Sequence, residues 1–401
     1  MRRSPRRCLA HRYRSTDIGR LVWESHRIDD TATGGTVGLT PHRIPEQITG
    51  IDLDWLNDVM PDDIGTIAEF DVESMGVGVG ILGELARLHL NYEGTSSGPA
   101  TVIAKCQAIA PENRFLGQAM GFYLREVNFY REVAADLSIR VPRAYHADAS
   151  DDGCPFVLII EDIAGARTPD QIAGITADEA QRILAVVAAL HAEFWDSPQL
   201  EAMSWLPPMD NPMYAAGQPM ALERLPGFVE RFGERIGAEM VRVIDTVCHH
   251  YVDLLHHAAD RDHVTFTHTD CRAENYLFGG APGDDAVTMI DFQLSTRHVG
   301  PWDVANLLGG SMDADMRRAH ESDLIAGYHA ALVERGVTGY SLDRCWDDYR
   351  MSLLQMCSAS VIVSDLQGGN ERGDELMENL LLRPVMAAAD HEVGDLLPRF
   401  C

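Results

Sequence analysis

Thr267–Phe278 reads THTDCRAENYLF, and Val287–Gln293 reads VTMIDFQ. The first stretch leaves a short β-branched and aromatic run, Val264–Thr267, and enters a loop carrying His268, Asp270, Arg272 and Asn275. The second is an apolar run that delivers Asp291. Two carboxylates and one carboxamide are thereby presented on one hairpin-like platform. Phosphoryl transfer calls for such a set: one carboxylate to take the proton of an attacking hydroxyl, and an oxygen-bearing pair to hold Mg²⁺ against phosphates. Asp270 is the candidate base, and Asn275 and Asp291 are the candidate metal ligands.

The pattern HxDxxxxN followed by a strand ending in IDF resembles the catalytic and metal-binding loops of the kinase-like superfamily. HTDCRAENYLF, IDFQ and then GPWDVANLL (Gly300–Leu308) resemble the aminoglycoside phosphotransferase family, with its choline kinase and ecdysteroid kinase-like relatives, more than protein kinases. Gln293 stands where protein kinases carry the glycine of DFG, and no APE segment follows. The resemblance implies that Asp303 anchors the catalytic loop through hydrogen bonds. Arg272 lies two residues past the base, where Ser/Thr kinases often carry a lysine, and is expected to neutralise charge on the transferring phosphoryl group. His268 is expected to brace the loop.

Upstream, Thr66–Gln107 alternates as strands do, and the second run is entered through glycines in which Gly78, Gly80 and Gly83 satisfy GxGxxG. The pattern runs strand to strand, so it does not fit a dinucleotide-binding strand-to-helix turn. It fits a glycine hairpin folded over ATP phosphates. Lys105, in VIAK on the third run, is the only lysine of the chain; the other basic residues are arginine. Kinase-like folds place a phosphate-pairing ammonium on that strand, and a guanidinium does not reproduce a compact point charge. A helix is predicted from about 113 to 136. By the resemblance, its Glu126 pairs with Lys105, with Glu132 as the fallback. The apolar run Phe156–Ile160 predicts a buried strand, after which the resemblance places an interlobe hinge whose backbone at Glu161–Ile163 would meet the adenine edge.

The remaining sequence frames these parts. Net charge is -28, which repels nucleic acid and anionic membrane. The hydrophobic share of 46% is ordinary for a globular chain, and no apolar stretch reaches the ~18 residues of a membrane span. Eight scattered cysteines without a CxxC pair suit reduced thiols in a cytoplasm. Cys271 follows the candidate base, either as a reactive thiol or as a small loop filler. Residues 1–49 open with the Arg-rich MRRSPRRCLAHRYR and no apolar segment after it, which predicts a disordered tail or residues upstream of the native start. Ile51–Met60 has helical spacing before Pro61. Thr176–Glu179 reads as a capping box for a helix in which His191 is a packed core residue. His249, His250, His256 and His257 are read as one polar helix face, lacking the i,i+4 spacing with a further ligand that a zinc site uses. Trp346, Asp347, Asp348 and Tyr349 fit either an acceptor pocket or ordinary surface and core.

The reading is an α+β, protein kinase-like bilobal fold. An N-lobe at 50–162, of antiparallel sheet plus one helix, binds nucleotide, and a mainly helical C-lobe at 163–401 carries the catalytic loop and binds the acceptor. The expected activity moves the γ-phosphate of ATP, with Mg²⁺, onto a hydroxyl of a small molecule: an aminoglycoside, amino alcohol, sugar or steroid-like acceptor. Asp270 and Arg272 are the catalytic candidates, Gly78, Gly80, Lys105, Glu126, Glu161 and Ile163 the nucleotide-binding ones, and Asn275 and Asp291 the metal ligands. The alternative is a catalytically silent nucleotide-binding protein, which ATP and Mg²⁺ would stabilise without any transfer.

Overall fold

The computed structural model describes residues 43–75, 82–280, 285–366 and 370–401. Gly78, Gly80 and all but the end of the 1–49 extension lie outside the described residues. A short helix α1 (Leu53–Val59) is capped by the Asp52 side chain on the Trp55 N–H. It precedes strands β1 (Ile67–Met75), β2 (Gly83–Tyr92) and β3 (Thr101–Gln107). Helices α2 (Pro111–Ala119) and α3 (Phe122–Glu132) follow, then β4 (Ala144–Ala149) and β5 (Phe156–Glu161). The five strands form one antiparallel sheet in the order β1-β2-β3-β5-β4.

The pleat of β3 explains its composition. Val102, Ala104 and Cys106 face the cluster built around Trp55 and Leu56 of α1. Ile103 belongs to the other cluster, with Val127 and Phe129 of α3. Side chains alternate across a strand, so Lys105 emerges on the α3 face. It sits opposite Leu85 of β2 and Leu158 of β5. Gly83 makes room for it, because a Cβ there would meet Lys105 Cε and the Cys106 carbonyl at 3.2 Å each.

The helix expected over 113–136 is two helices. Gly121 takes a left-handed turn, φ 67°, which an L side chain adopts only at a cost, and the chain restarts as α3.

The second half is mainly helical. Helix α4 (Ala177–Phe194) begins with the Thr176–Glu179 capping box in full. It is followed by α5 (Gln199–Ala202), the long α6 (Gly217–His249), broken at Gly237, and α7 (Tyr251–Ala259). The chain breaks at His250, so His249 and His256 sit on different helices and the single histidine face read from sequence does not exist. Two small antiparallel pairs come next: β6 (Thr265–Thr267) with β9 (Thr296–His298), and β7 (Tyr276–Phe278) with β8 (Val287–Met289). Helix α8 (Pro301–Ser311) is buried nearly all round and packs against α10 (Leu342–Ile362) and α11 (Glu371–Asp390), while α9 (Ala314–Glu334) lies on α4. Among the described residues no helix is long and apolar enough to cross a membrane.

Candidate active site

Lys105 Nζ lies 2.7 Å from Glu126 Oε2 of α3 and 3.0 Å from Asp291 Oδ1, 186 residues further along the chain. The contact with Asp291 is also an aligned hydrogen bond; the one with Glu126 is an ion pair without hydrogen-bond alignment. Glu132, the fallback partner, instead accepts from Trp205 Nε1 at 2.6 Å. Burial works against the Lys105 charge, but Asp291 and then Glu126 outweigh it and raise the pKa above its ordinary value. Burial pushes the Glu126 carboxyl up to about 7, with Lys105 pulling it down and Asp291 adding to the rise. For Asp291, burial is overcome by Lys105, with Arg272 helping, and the carboxyl is held below its usual range. One ammonium therefore serves one firm carboxylate, Asp291, and one that gives up its charge more easily, Glu126.

The loop between β6 and β7 presents Asp270. Asn275 Nδ2 donates to the Asp270 backbone carbonyl at 2.8 Å and to its Oδ2 at 2.9 Å. That turns the Asn275 carboxamide oxygen away from Asp270. Arg272 Nε donates to Asp270 Oδ2 at 3.3 Å, and Arg272 Nη1 to Glu274 Oε2 at 2.6 Å. Burial opposes the Arg272 charge; Asp270, Glu274 and Asp291 outweigh it. The guanidinium expected to face a phosphoryl group is thus held between two carboxylates, and Glu274 is a partner that sequence reading did not single out.

The loop's backbone is held from α8. Thr269 has φ 70°, a conformation rare for a β-branched residue. Asp303 accepts from the His268 N–H at 2.7 Å and the Thr269 N–H at 2.8 Å, and Trp302 Nε1 donates to the Thr269 carbonyl at 3.1 Å. Both sides of the strained residue are therefore fixed by adjacent side chains of one helix. Asp303 also accepts from His191 Nε2 at 3.1 Å, while His191 Nδ1 lies 2.8 Å from the Tyr328 hydroxyl. His191 is thus a buried link between α4, α8 and α9, more than core filler. Gly300 is required beside it, since a Cβ there would collide with the Tyr328 hydroxyl and come within 2.8 Å of His191 Nδ1. Gln171 and Ser311 both accept from the Ala273 N–H, at 2.9 and 3.0 Å; nothing in the local sequence marks either residue.

Asp291 also has left-handed backbone angles, φ 67° and ψ 68°. His268 Nε2 donates to the Ile290 carbonyl at 2.8 Å and so joins the two loops.

At the end of β5, the Glu161 N–H donates to the Arg143 carbonyl at 2.8 Å and its carboxylate accepts from the Arg143 N–H at 3.1 Å. The Ile163 carbonyl accepts from Ala166 N–H at 3.1 Å. Asp162 between them binds Arg87 Nε of β2 at 2.6 Å, a tie to the sheet that sequence reading missed. Asp347 and Asp348 are taken up by other side chains: Asp348 is bound by Arg261, Arg344 and the Tyr340 hydroxyl, and Asp347 by Arg261 and Arg399. Cys271 is fully buried against the Tyr276 hydroxyl, and burial pushes its thiol well up, which removes the reactive-thiol alternative.

As a donor set, the Asp291 carboxylate and the Asn275 carboxamide are hard oxygen ligands, the type Mg²⁺ prefers. Among the described residues no group of three His, Cys, Asp or Glu side chains forms a ready cage. Two protein oxygens fit an ion that keeps waters and phosphate oxygens for its other positions.

Solved structures are similar to this chain. The choline kinase from Cryptosporidium parvum Iowa II is 12% identical with a TM-score of 0.51, covering 86% of this chain and 96% of that one. An ethanolamine kinase from Plasmodium vivax is 13% identical (TM-score 0.47, covering 82% and 84%). The GDP complex of aminoglycoside 2'-phosphotransferase-IIIa is 15% identical (TM-score 0.46, covering 81% and 94%). No curated protein matches the sequence. The fold is the bilobal, protein kinase-like α+β fold. The sequence pattern of the ecdysteroid kinase-like family matches residues 78–337, a span that includes Lys105, Glu126, Asp270, Asn275, Asp291 and Asp303. The chain belongs to the ecdysteroid kinase-like family.

Proposed function

We propose that this protein is a phosphotransferase that moves the γ-phosphate of ATP to a hydroxyl of a small molecule. The observation that carries the reading is the Lys105 ammonium, held between Glu126 and Asp291 at 2.7 and 3.0 Å. Such a group, kept charged and fixed by two carboxylates, suits phosphate binding. In this reading the two lobes run over 50–162 and 163–401. Lys105, braced by Glu126, orients the phosphates, and the backbone at Glu161 and Ile163 borders the adenine. Asn275 and Asp291 would hold Mg²⁺, which when bound supplies neutralisation of phosphate charge. The Asp270 carboxylate takes the proton from the acceptor hydroxyl as its oxygen bonds to the γ-phosphorus; the bond to the β,γ-bridging oxygen breaks and ADP leaves. Arg272 holds Asp270 oriented and lends positive charge beside it. The acceptor is an aminoglycoside, amino alcohol, sugar or steroid-like alcohol. The seven described cysteines are free thiols, as suits a cytoplasmic enzyme.

The test is an acceptor screen reading ADP release, with Asp270→Ala as control. Turnover in the variant should fall by ~10²–10⁴-fold, with ATP binding retained. Equal turnover in wild type and variant refutes the role of Asp270. ATP and Mg²⁺ stabilising the fold without transfer to any acceptor refutes the enzyme reading.

A further inference from the structure

The stretch around Asp291 has to be held, because a left-handed non-glycine residue costs on the order of 1–3 kcal/mol. Its own side chain is tied to Lys105, and His268 grips the preceding carbonyl. Two further contacts come from α3. Phe129 stacks on Phe292 with ring centroids 3.6 Å apart and planes 10° from parallel. Arg125, four residues before Phe129 and on the same helix face, donates from Nη1 to the Gln293 carbonyl at 3.2 Å.

Arg125 is unusual as a residue. It is 2% exposed, and among the described residues no carboxylate forms an ion pair with it. Its Nε has no aligned hydrogen-bond partner, its Nη2 donates to the Met120 carbonyl at 3.1 Å, and the uncharged Phe122 ring, 5.6 Å away at its centroid, and the Tyr214 hydroxyl are its other neighbours. A buried guanidinium without a counter-charge is costly, and an apolar side chain would fill the space at less cost. What the guanidinium adds is a fixed fork between two carbonyls. One lies just before its own helix, and the other lies two residues past Asp291. The Gln293 side chain completes the connection, with Nε2 3.4 Å from Asp291 Oδ2. The helix that supplies Glu126 and the loop that supplies Asp291 are therefore joined three times: through Lys105, which a bound phosphate would engage, through the Phe129–Phe292 stack, and through Arg125.

We infer that Arg125 is a positioning residue for Asp291: by gripping the Gln293 carbonyl it sets where the Asp291 carboxylate stands against the Lys105–Glu126 pair. It thereby sets the affinity for a divalent metal bound together with nucleotide. This rests on the phosphotransferase reading above.

The experiment measures Mn²⁺ binding to the full-length protein by electron paramagnetic resonance at saturating ADP, for wild type, Arg125→Met, Arg125→Lys and Asp291→Ala. Losing an outer support of a metal ligand weakens binding by about 10- to 100-fold. Arg125→Met should fall in that range, and Arg125→Lys, which keeps the charge but cannot fork between both carbonyls, should lie between it and wild type. ADP binding in EDTA should be unchanged in both Arg125 variants. Should Arg125→Met not fold, Arg125→Lys is held to the same criterion of weakened Mn²⁺ binding with intact metal-free ADP binding. A lowered melting temperature with wild-type Mn²⁺ affinity in the folded protein means a purely structural role and overturns the inference. If Asp291→Ala abolishes Mn²⁺ binding while the Arg125 variants bind as wild type, this inference alone fails. If Asp291→Ala binds Mn²⁺ and ADP as wild type, the phosphotransferase reading fails with it.

Discussion

Lys105→Met removes one charge from a three-charge cluster and leaves a side chain of similar length. Glu126 and Asp291 are then buried together with the ammonium between them gone; their side chains are 2% and 23% exposed. Removing one partner of a buried ion pair costs about 3–5 kcal/mol, and the partial exposure of Asp291 places this case near the lower end, at about 3 kcal/mol. The pH dependence makes the test specific. Without Lys105, both carboxyls rise in the folded chain above their unfolded values, 4.5 for Glu126 and 3.8 for Asp291. A carboxyl raised in this way stabilises the fold below its unfolded pKa, and that contribution is lost as pH climbs through the folded pKa. With Lys105 in place Glu126 already stands at about 7, so wild type and variant share its cost below that pH; above it, each pH unit over which the variant's carboxyl stays protonated only in the folded chain widens the gap by about 1.4 kcal/mol. Urea unfolding followed by the fluorescence of the six tryptophans, at pH 5, 6, 7 and 8, should show the variant less stable than wild type, with the gap widening by about 1 kcal/mol from pH 7 to pH 8. A gap that is the same at every pH, or a variant more stable at pH 8, refutes the charge cluster as described.

Asp303→Ala leaves the N–H groups of His268 and Thr269 and the His191 ring without their acceptor in a fully buried place. At about 1–3 kcal/mol for each stranded donor, unfolding free energy should drop by roughly 3–6 kcal/mol, and a loss under about 1 kcal/mol by urea unfolding contradicts the anchoring. His298 is buried with Nδ1 accepting from the Val299 N–H and Nε2 facing Gln355 Oε1, and burial lowers its pKa to about 4. Its contribution is present above the unfolded value of 6.5 and is lost as pH falls toward 4, up to about 3 kcal/mol; His298→Gln should flatten the stability curve in that window, and an unchanged slope counts against it. Iodoacetamide at neutral pH should label exposed Cys401 and spare Cys271, and mass spectrometry finding Cys271 modified as fast as Cys401 contradicts its burial.

The local grammar of this chain was legible without coordinates wherever neighbours in sequence decide the outcome. Alternation in TVIAKCQ put Lys105 on one face of a strand, Thr176 and Glu179 marked a helix start, and the spacing from His268 to Asn275 marked a loop that carries a carboxylate and an amide. Where reading by periodicity went wrong, a backbone event interrupted an otherwise helical composition: the left-handed Gly121 split one expected helix, and the break at His250 separated histidines that composition had joined. Asp347 and Asp348 could not be told from pocket residues because two of their arginine partners, Arg261 and Arg399, lie about 50 or more residues away.

By itself the sequence determined which chemical groups exist and on which strand, helix or loop each one stands, since those depend on backbone propensity and side-chain periodicity over a few residues. Only the tertiary structure decided which groups meet. Lys105 reaches Asp291 across 186 residues, Asp303 closes on His191 and Thr269, and Arg125 finds a carbonyl beyond the metal-ligand candidate, because packing of the buried faces of α3, α4 and α8 brings them together. Burial then turns these encounters into fixed geometry: polar groups withdrawn from water must find partners within the protein, and those partners hold the two strained residues of the candidate site, Thr269 and Asp291, in place.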